Sequence, residues 1–273
     1  MKQLADTPWR ERRRRATAAL RVLPDFVIAG TQKGGTSSLY SWLVGHPQVA
    51  RGAVKEVHYF DHAYGRGLGW YRAHFPLGRG WPRRWLTGES SPLYMFDPRV
   101  PARIARDLPD ARLIFILREP AARAWSHYRH NVERGFETLG FGAALAAEPA
   151  RLAGELDKMF AEPLYRSPTY GLYCYFEKGL YLAQLERYAA LIPRERMLVL
   201  SSELMFRDPD AVWDRTLRFL GLEPAPLTDR RVRNAARSAE RDPAIESELA
   251  ALRRRFAPHD AALRAWLGSD PGG

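Results

Sequence analysis

The chain has 273 residues, with 42 Lys and Arg against 31 Asp and Glu and a formal net charge of +11. This length fits one large α/β domain or two small ones and needs no disulfide or metal to hold a core, and the single cysteine, Cys174, excludes an intrachain disulfide and a Cys-rich zinc site. At 46% hydrophobic and 12% aromatic it is not a disordered polycation, and it has no apolar run approaching a membrane span of about 20 residues.

Met1 to Arg15 lacks an apolar signal core, so the expected location is cytoplasmic. Arg10 and Arg12 to Arg15 form a near-continuous basic run, read as a solvated arm over residues 1–22 ahead of a single domain over 23–273. Nucleic acid is not an expected partner: there is no zinc-finger spacing or RNP-like motif, and aromatics do not interleave with the basic clusters. Ala16 to Leu20 is too short for an apolar membrane-binding face, which leaves peripheral membrane contact through the Arg10–Arg15 run without other support.

Phe26 to Gly30 reads as a short buried strand, followed by a glycine-rich turn and a helix from Ser37 to Val44. Helical stretches follow near Pro101–Leu108, Phe141–Leu152 and Tyr175–Leu191. Leu113 to Leu117 is a second buried strand, and Pro120 suits the first turn of a helix running to about Arg134. Met197 to Leu200 is a third strand, and the tail reads as two helices, Pro243–Phe256 and Asp260–Leu267. The expected fold is α/β: a P-loop-type three-layer α/β/α arrangement with a central, mainly parallel sheet. Ligands of such sheets bind beyond the carboxyl ends of the strands, where Thr31–Thr36 and Arg118–Pro120 fall.

The segment Lys33-Gly34-Gly35-Thr36-Ser37-Ser38 joins the first strand to its helix. Free N–H groups and the dipole at a helix start favour an anion, glycines let the backbone approach it, and Lys33 adds a point charge. The nucleoside-triphosphatase pattern G-x-x-x-x-G-K-[ST] is not met, because the lysine precedes the glycines, and Leu113–Leu117 ends in Arg118 rather than a Mg-binding aspartate. The loop therefore points to an enzyme that meets anionic charge with Lys, Arg and backbone N–H groups, without a metal.

On these residues the chain resembles the sulfotransferases that use 3′-phosphoadenosine 5′-phosphosulfate (PAPS) and release adenosine 3′,5′-bisphosphate. Lys33 to Ser38 is similar to the family's 5′-phosphosulfate loop, and Arg118 with Ser126, eight residues on, to its 3′-phosphate site. Lys55-Glu56-Val57-His58-Tyr59-Phe60-Asp61, Gly67-Leu68-Gly69-Trp70-Tyr71 and Gly179-Leu180-Tyr181 resemble the heparan sulfate (glycosaminoglycan) sulfotransferases and their bacterial relatives. The resemblance covers roughly residues 24–267 and implies transfer of a sulfuryl group to a hydroxyl or amine of a carbohydrate or small natural product.

In-line transfer needs a base for the acceptor proton and cations for the charge on the transferring group. The resemblance places the base at Glu56, with His58 as the alternative and Lys33 set to stabilise the bridging oxygen. Where relatives carry Glu-Lys-[Ser/Thr], this chain has Glu89-Ser90-Ser91; the lysine is missing, and either Lys55 or an arginine substitutes or the acceptor differs. Arg233 and Arg237 are expected either to close over the nucleotide or to stand in a solvated basic turn. No metal site is expected, since His127 and His130 lack a third ligand, and Trp70, Trp81 and Trp85 are expected to pack in the core rather than line an acceptor cleft. The competing readings are a P-loop small-molecule kinase and a non-catalytic nucleotide- or nucleic-acid-binding module.

Overall fold

Residues 8–78, 85–230 and 243–268 are described by a computed structural model of the chain. Arg233, Arg237 and Trp81 lie outside the described residues. In chain order, the first stretch holds α1 (Pro8–Ala16), β1 (Phe26–Gly30), α2 (Thr36–Leu43), β2 (Val49–Arg51), α3 (Tyr59–His62) and α4 (Leu68–Arg72). Then come β3 (Leu86–Ser90), α5 (Val100–Asp107), β4 (Arg112–Leu117), α6 (Pro120–Glu133), α7 (Phe141–Leu152), α8 (Glu155–Ala161) and α9 (Pro168–Leu172). The last are α10 (Tyr181–Ala189), β5 (Met197–Ser201), α11 (Ser202–Arg207), α12 (Pro209–Leu220) and α13 (Pro243–Leu267).

The five strands form one sheet in the order β2-β3-β1-β4-β5. Every pairing is parallel, with Ile28 beside Ser90 on one side of β1 and beside Ile114 on the other. Strand residues alternate between faces. Val27, Ala29, Leu113 and Phe115 join a core with α3, α4, α5 and α10, whereas Phe26, Ile28, Ile114 and Ile116 join one with α2, α11 and α12. This is the three-layer arrangement expected. A third cluster binds α6, α7 and the first half of α13.

Two strands escaped the sequence reading. Val49–Arg51 is too short to show a period, and Leu86–Ser90 carries Thr87, Glu89 and Ser90, all fully buried, in place of an apolar run. The two helices expected in the tail are one: α13 continues through Pro258, because Leu249, Leu252 and Phe256 before it and Leu263 after it all bury against the body. Of the segment read as a basic arm, the described residues 8–22 include the helix α1 and are tied down. Arg21 donates to the carbonyl of Phe75 at 2.7 Å, and Arg21 bridges to Leu77. No helix among the described residues is long and apolar enough to cross a membrane.

Candidate active site

Parallel strands put their carboxyl ends on one edge, and from β1 the chain leaves first to the β3 side and then to the β4 side. The turn after β1 therefore sits at the switch point where such sheets bind ligands. Lys33, Gly34 and Gly35 occupy this turn, and Thr36, Ser37 and Ser38 open α2. Lys33 and Gly35 adopt left-handed backbone (φ 71° and 103°), which folds the loop tightly against β4. A Cβ on Gly34 would lie 2.4 Å from the carbonyl oxygen of Ile116, so only glycine fits there. Thr36 and Ser38 are buried and Ser37 is half-buried. Arg118, at the end of β4, donates to the carbonyl of Lys33 at 3.2 Å, which joins the two nucleotide motifs. Burial, and then the charge of Arg118, lowers the Lys33 pKa below its ordinary value. Ser126 lies buried on α6, two turns beyond Arg118.

The segment after β2 brings the acid–base groups to the same edge. Lys55 Nζ donates to Ser37 Oγ at 2.7 Å and forms an ion pair with Glu56. Glu56 also faces His58 Nε2 at 3.4 Å, and His58 Nδ1 meets Asp61 Oδ2 at 2.8 Å. The result is a line of alternating charge: Lys55, Glu56, His58, Asp61. Burial alone would raise the Glu56 pKa, but His58 and Lys55 outweigh it and hold the carboxyl at about 2. Burial alone would lower the His58 pKa, but its hydrogen bonds to Asp61 and Glu56 push it up to about 10. In the free protein this favours the protonated imidazole at neutral pH, so His58 as the alternative base would first have to give up a proton.

Three residues that shape the candidate site carry no role in the sequence alone. Asp61 stands only at the end of a motif in the sequence, yet in the fold it orients His58. Glu89 was noticed for the lysine that does not follow it. It is fully buried and accepts from Val57 N (3.2 Å), Ser91 Oγ (2.6 Å), Tyr71 OH (2.7 Å) and Tyr94 OH (3.0 Å). Ser91 Oγ in turn accepts from His58 N, and Ser90 N donates to the carbonyl of Lys55. Glu89 thus props the whole Lys55–His58 segment from beneath. Lys178, 1% exposed, donates to the carbonyl of Gly171 at 2.5 Å and reaches Gln32 of the phosphate loop at 3.3 Å. No spacing in the sequence links residue 178 to residue 32.

The fold also gathers ligand-type atoms of His58, Asp61 and His62 within 4.8 Å of one another, a cluster that the histidine spacing did not suggest. His127 is buried on α6 and His130 half-buried beside it. Trp70 packs against the first core, as expected, beneath the guanidinium of Arg66 at 4.7 Å. Cys174 is fully buried and its thiol pKa is raised by burial, in keeping with an inert role.

Residues 23–241 match the family described as the sulfotransferase domain. Human heparan sulfate glucosamine 3-O-sulfotransferase 3B1 is 32% identical over 206 residues, 74% of this chain and 47% of that protein. The membrane-associated sulfotransferase kil1 of Dictyostelium discoideum is 37% identical over 111 residues, 41% of this chain and 24% of that protein. The chain thus spans about half the length, or less, of these curated relatives. Among solved structures, a sulfotransferase from Alicyclobacillus acidocaldarius superposes with a TM-score of 0.71 at 32% identity, covering 91% of this chain and 97% of its own.

Proposed function

This chain belongs to the sulfotransferase domain family, and on that premise we propose that it moves the sulfuryl group of PAPS to a hydroxyl or amine of a carbohydrate acceptor. The carrying observation is Lys55, whose ammonium contacts both Ser37 of the phosphate loop and Glu56. It joins the place where a phosphosulfate would lie to the group that would activate an acceptor. The carbohydrate class is supported by the glycan enzymes among the relatives.

The residues fit the donor. The loop is drawn tight against β4 at Gly34, where no Cβ fits, and Arg118 reaches its backbone at Lys33. The turn of Lys33 to Ser38 would take the 5′ end, through backbone N–H groups, Lys33 and the α2 hydroxyls. Arg118 and Ser126 would take the 3′-phosphate. When bound, PAPS supplies an electrophilic sulfur with a phosphate leaving group. Glu56 accepts the proton of the attacking hydroxyl. Its low pKa in the free protein comes from Lys55 and His58, so its basicity depends on Lys55 turning from the carboxylate toward the anionic donor. Lys55 would then do the work of the lysine missing after Glu89, while Lys33 offsets charge on the leaving oxygen. His58, cationic and held by Asp61, keeps Glu56 oriented.

The test is calorimetric binding of adenosine 3′,5′-bisphosphate without magnesium, together with transfer of labelled sulfate from PAPS to a panel of glycans. Glu56→Gln is expected to keep bisphosphate affinity within about twofold and to lose at least ~100-fold in turnover, the lower end of what a positioned base contributes. Retained turnover in that variant would move the base elsewhere. Binding of ATP–magnesium in preference to the bisphosphate would replace the reading with a kinase.

A further inference from the structure

Beyond Glu56, the acceptor side of the site does not end at the catalytic residues. A concavity of about 530 Å³ opens beside His58 and is walled by Arg66 and Arg166. At its inner end, Asp61, His62 and Arg166 also line a smaller hollow floored by Phe96 and Tyr170. At its outer end, Arg66 also lines a concavity of about 490 Å³ whose other walls are Trp9, Glu11, Arg12 and Arg15 of α1. The first hollow shares Asp61, His62 and Arg166 with the smaller one and Arg66 with the outer one, so together they form a track from His58, the neighbour of Glu56, to the N-terminal helix.

The chemistry of the track has a consistent sign. Trp9, Arg12 and Arg15 recur every three residues on α1 and so share a face, and all three are exposed. Among the described residues, Arg12, Arg15, Arg66 and Arg166 form no ion pair, whereas Arg14 is partly buried, its pKa lowered by that burial. Among the described residues, Glu11 is the single acidic residue of the outer hollow, and the Asp61 carboxylate is engaged by His58. The helix is anchored, not loose: Thr17 Oγ1 closes its last turn on the carbonyls of Arg13 and Arg14, and Arg21 ties Thr17 to Phe75. An exposed tryptophan beside unpaired arginines suits a sugar ring that carries an acidic group.

We propose that α1 is part of the acceptor site: Trp9, Arg12, Arg15 and Arg66 form an outer subsite for a carboxylate or sulfate of an acceptor saccharide, several sugar units from the reacting group. This rests on the sulfotransferase reading above and adds to it a role for a helix that lies ahead of the matched domain, which begins at residue 23.

The experiment compares wild type, the double variant Arg12→Ala/Arg15→Ala and a control of equal charge, Arg215→Ala/Arg218→Ala, on α12 in the opposite layer. Each is saturated with adenosine 3′,5′-bisphosphate and titrated with a heparan sulfate octasaccharide and a disaccharide; transfer from PAPS to both is measured in parallel. The double variant is expected to bind the octasaccharide at least 10-fold more weakly and to raise its KM to match. Its kcat, disaccharide KM and bisphosphate affinity are expected to hold within twofold, and the control to match wild type. Equal octasaccharide affinity in the double variant and the control would overturn the subsite. So would a wild type that sulfates a neutral small acceptor but ignores the octasaccharide, although the sulfotransferase reading would then stand. Loss of bisphosphate binding and of all transfer in wild type would overturn both. Unchanged octasaccharide binding, with wild type retained on phosphatidylserine vesicles or a DNA duplex and the double variant released, would assign the helix to that surface and refute the saccharide.

Discussion

Glu56 and Glu89 show how environment divides labour between two carboxylates at the same sheet edge. Glu56, with a side chain 37% exposed, is charged and surrounded by cations; Glu89 is sealed beneath it, with burial raising its pKa against four hydrogen-bond donors. One is available to substrate and the other is structural. The residue types alone could not separate them, since both stand in short polar motifs; burial does. Glu89→Ala would strand the hydroxyls of Tyr71 and Tyr94 and the amide of Val57 in a dry site. The expected cost is about 3 kcal/mol, from several buried donors losing their acceptor at once. Because Val57 and His58 hang from this network, turnover should fall together with stability, while bisphosphate affinity, set by the β1 turn and β4, stays within threefold. Urea denaturation and calorimetry check both; a variant as stable as wild type would show that water or a rotated tyrosine replaces the carboxylate.

At the scale of elements, legibility followed the kind of side chain each element buries. Phe26–Gly30 and Met197–Leu200 were readable because a doubly covered parallel strand is apolar throughout. β3 was not, because its carboxyl end exchanges apolar residues for the polar ones that build the site. The candidate site was legible where a motif is local, as in Lys33–Ser38 or Arg118 with Ser126. It was illegible where the partner comes from a distant element, as with Lys178 against Gln32 or Lys55 against Ser37. The β1 turn is the element most sensitive to shape. Gly34→Ala places a methyl 2.4 Å from the Ile116 carbonyl, a contact with backbone that no rotamer relieves. The loop must lift from β4, taking Lys33 away from Arg118. Bisphosphate affinity is expected to fall at least ~10-fold, or about 1.4 kcal/mol, with the far-ultraviolet circular dichroism unchanged. Wild-type affinity in this variant would mean that the loop binds in a different conformation from the one described.

Taken over the whole molecule, the titrating groups set a shape for stability against pH. Burial holds His62 down at about 4 and pushes His127, His74 and His130 below their ordinary range. These imidazoles refuse a proton that the unfolded chain accepts, so stability rises with pH from about 4 toward the ordinary histidine value of 6.5. His58 has the opposite sign. Held at about 10 by Asp61 and Glu56 against the effect of burial, it keeps a proton that the unfolded chain has already released above 6.5, so stability falls as pH rises from there. Lys178 enters next: burial lowers it to about 8, so above that pH the unfolded chain binds the extra proton and its slope offsets that of His58. The expected profile of melting temperature peaks near pH 6.5, declines to about pH 8 and flattens from there to about 10. His58→Asn should remove the decline between 6.5 and 8 and, because the His58 charge also helps to lower His62 and Glu56, weaken the acid-side rise; Lys178→Met should extend the decline to about 10. A melting temperature that rises through pH 7 in wild type, or declines equally in His58→Asn, would show that the Lys55–Asp61 line of charge does not hold His58 protonated in the folded chain.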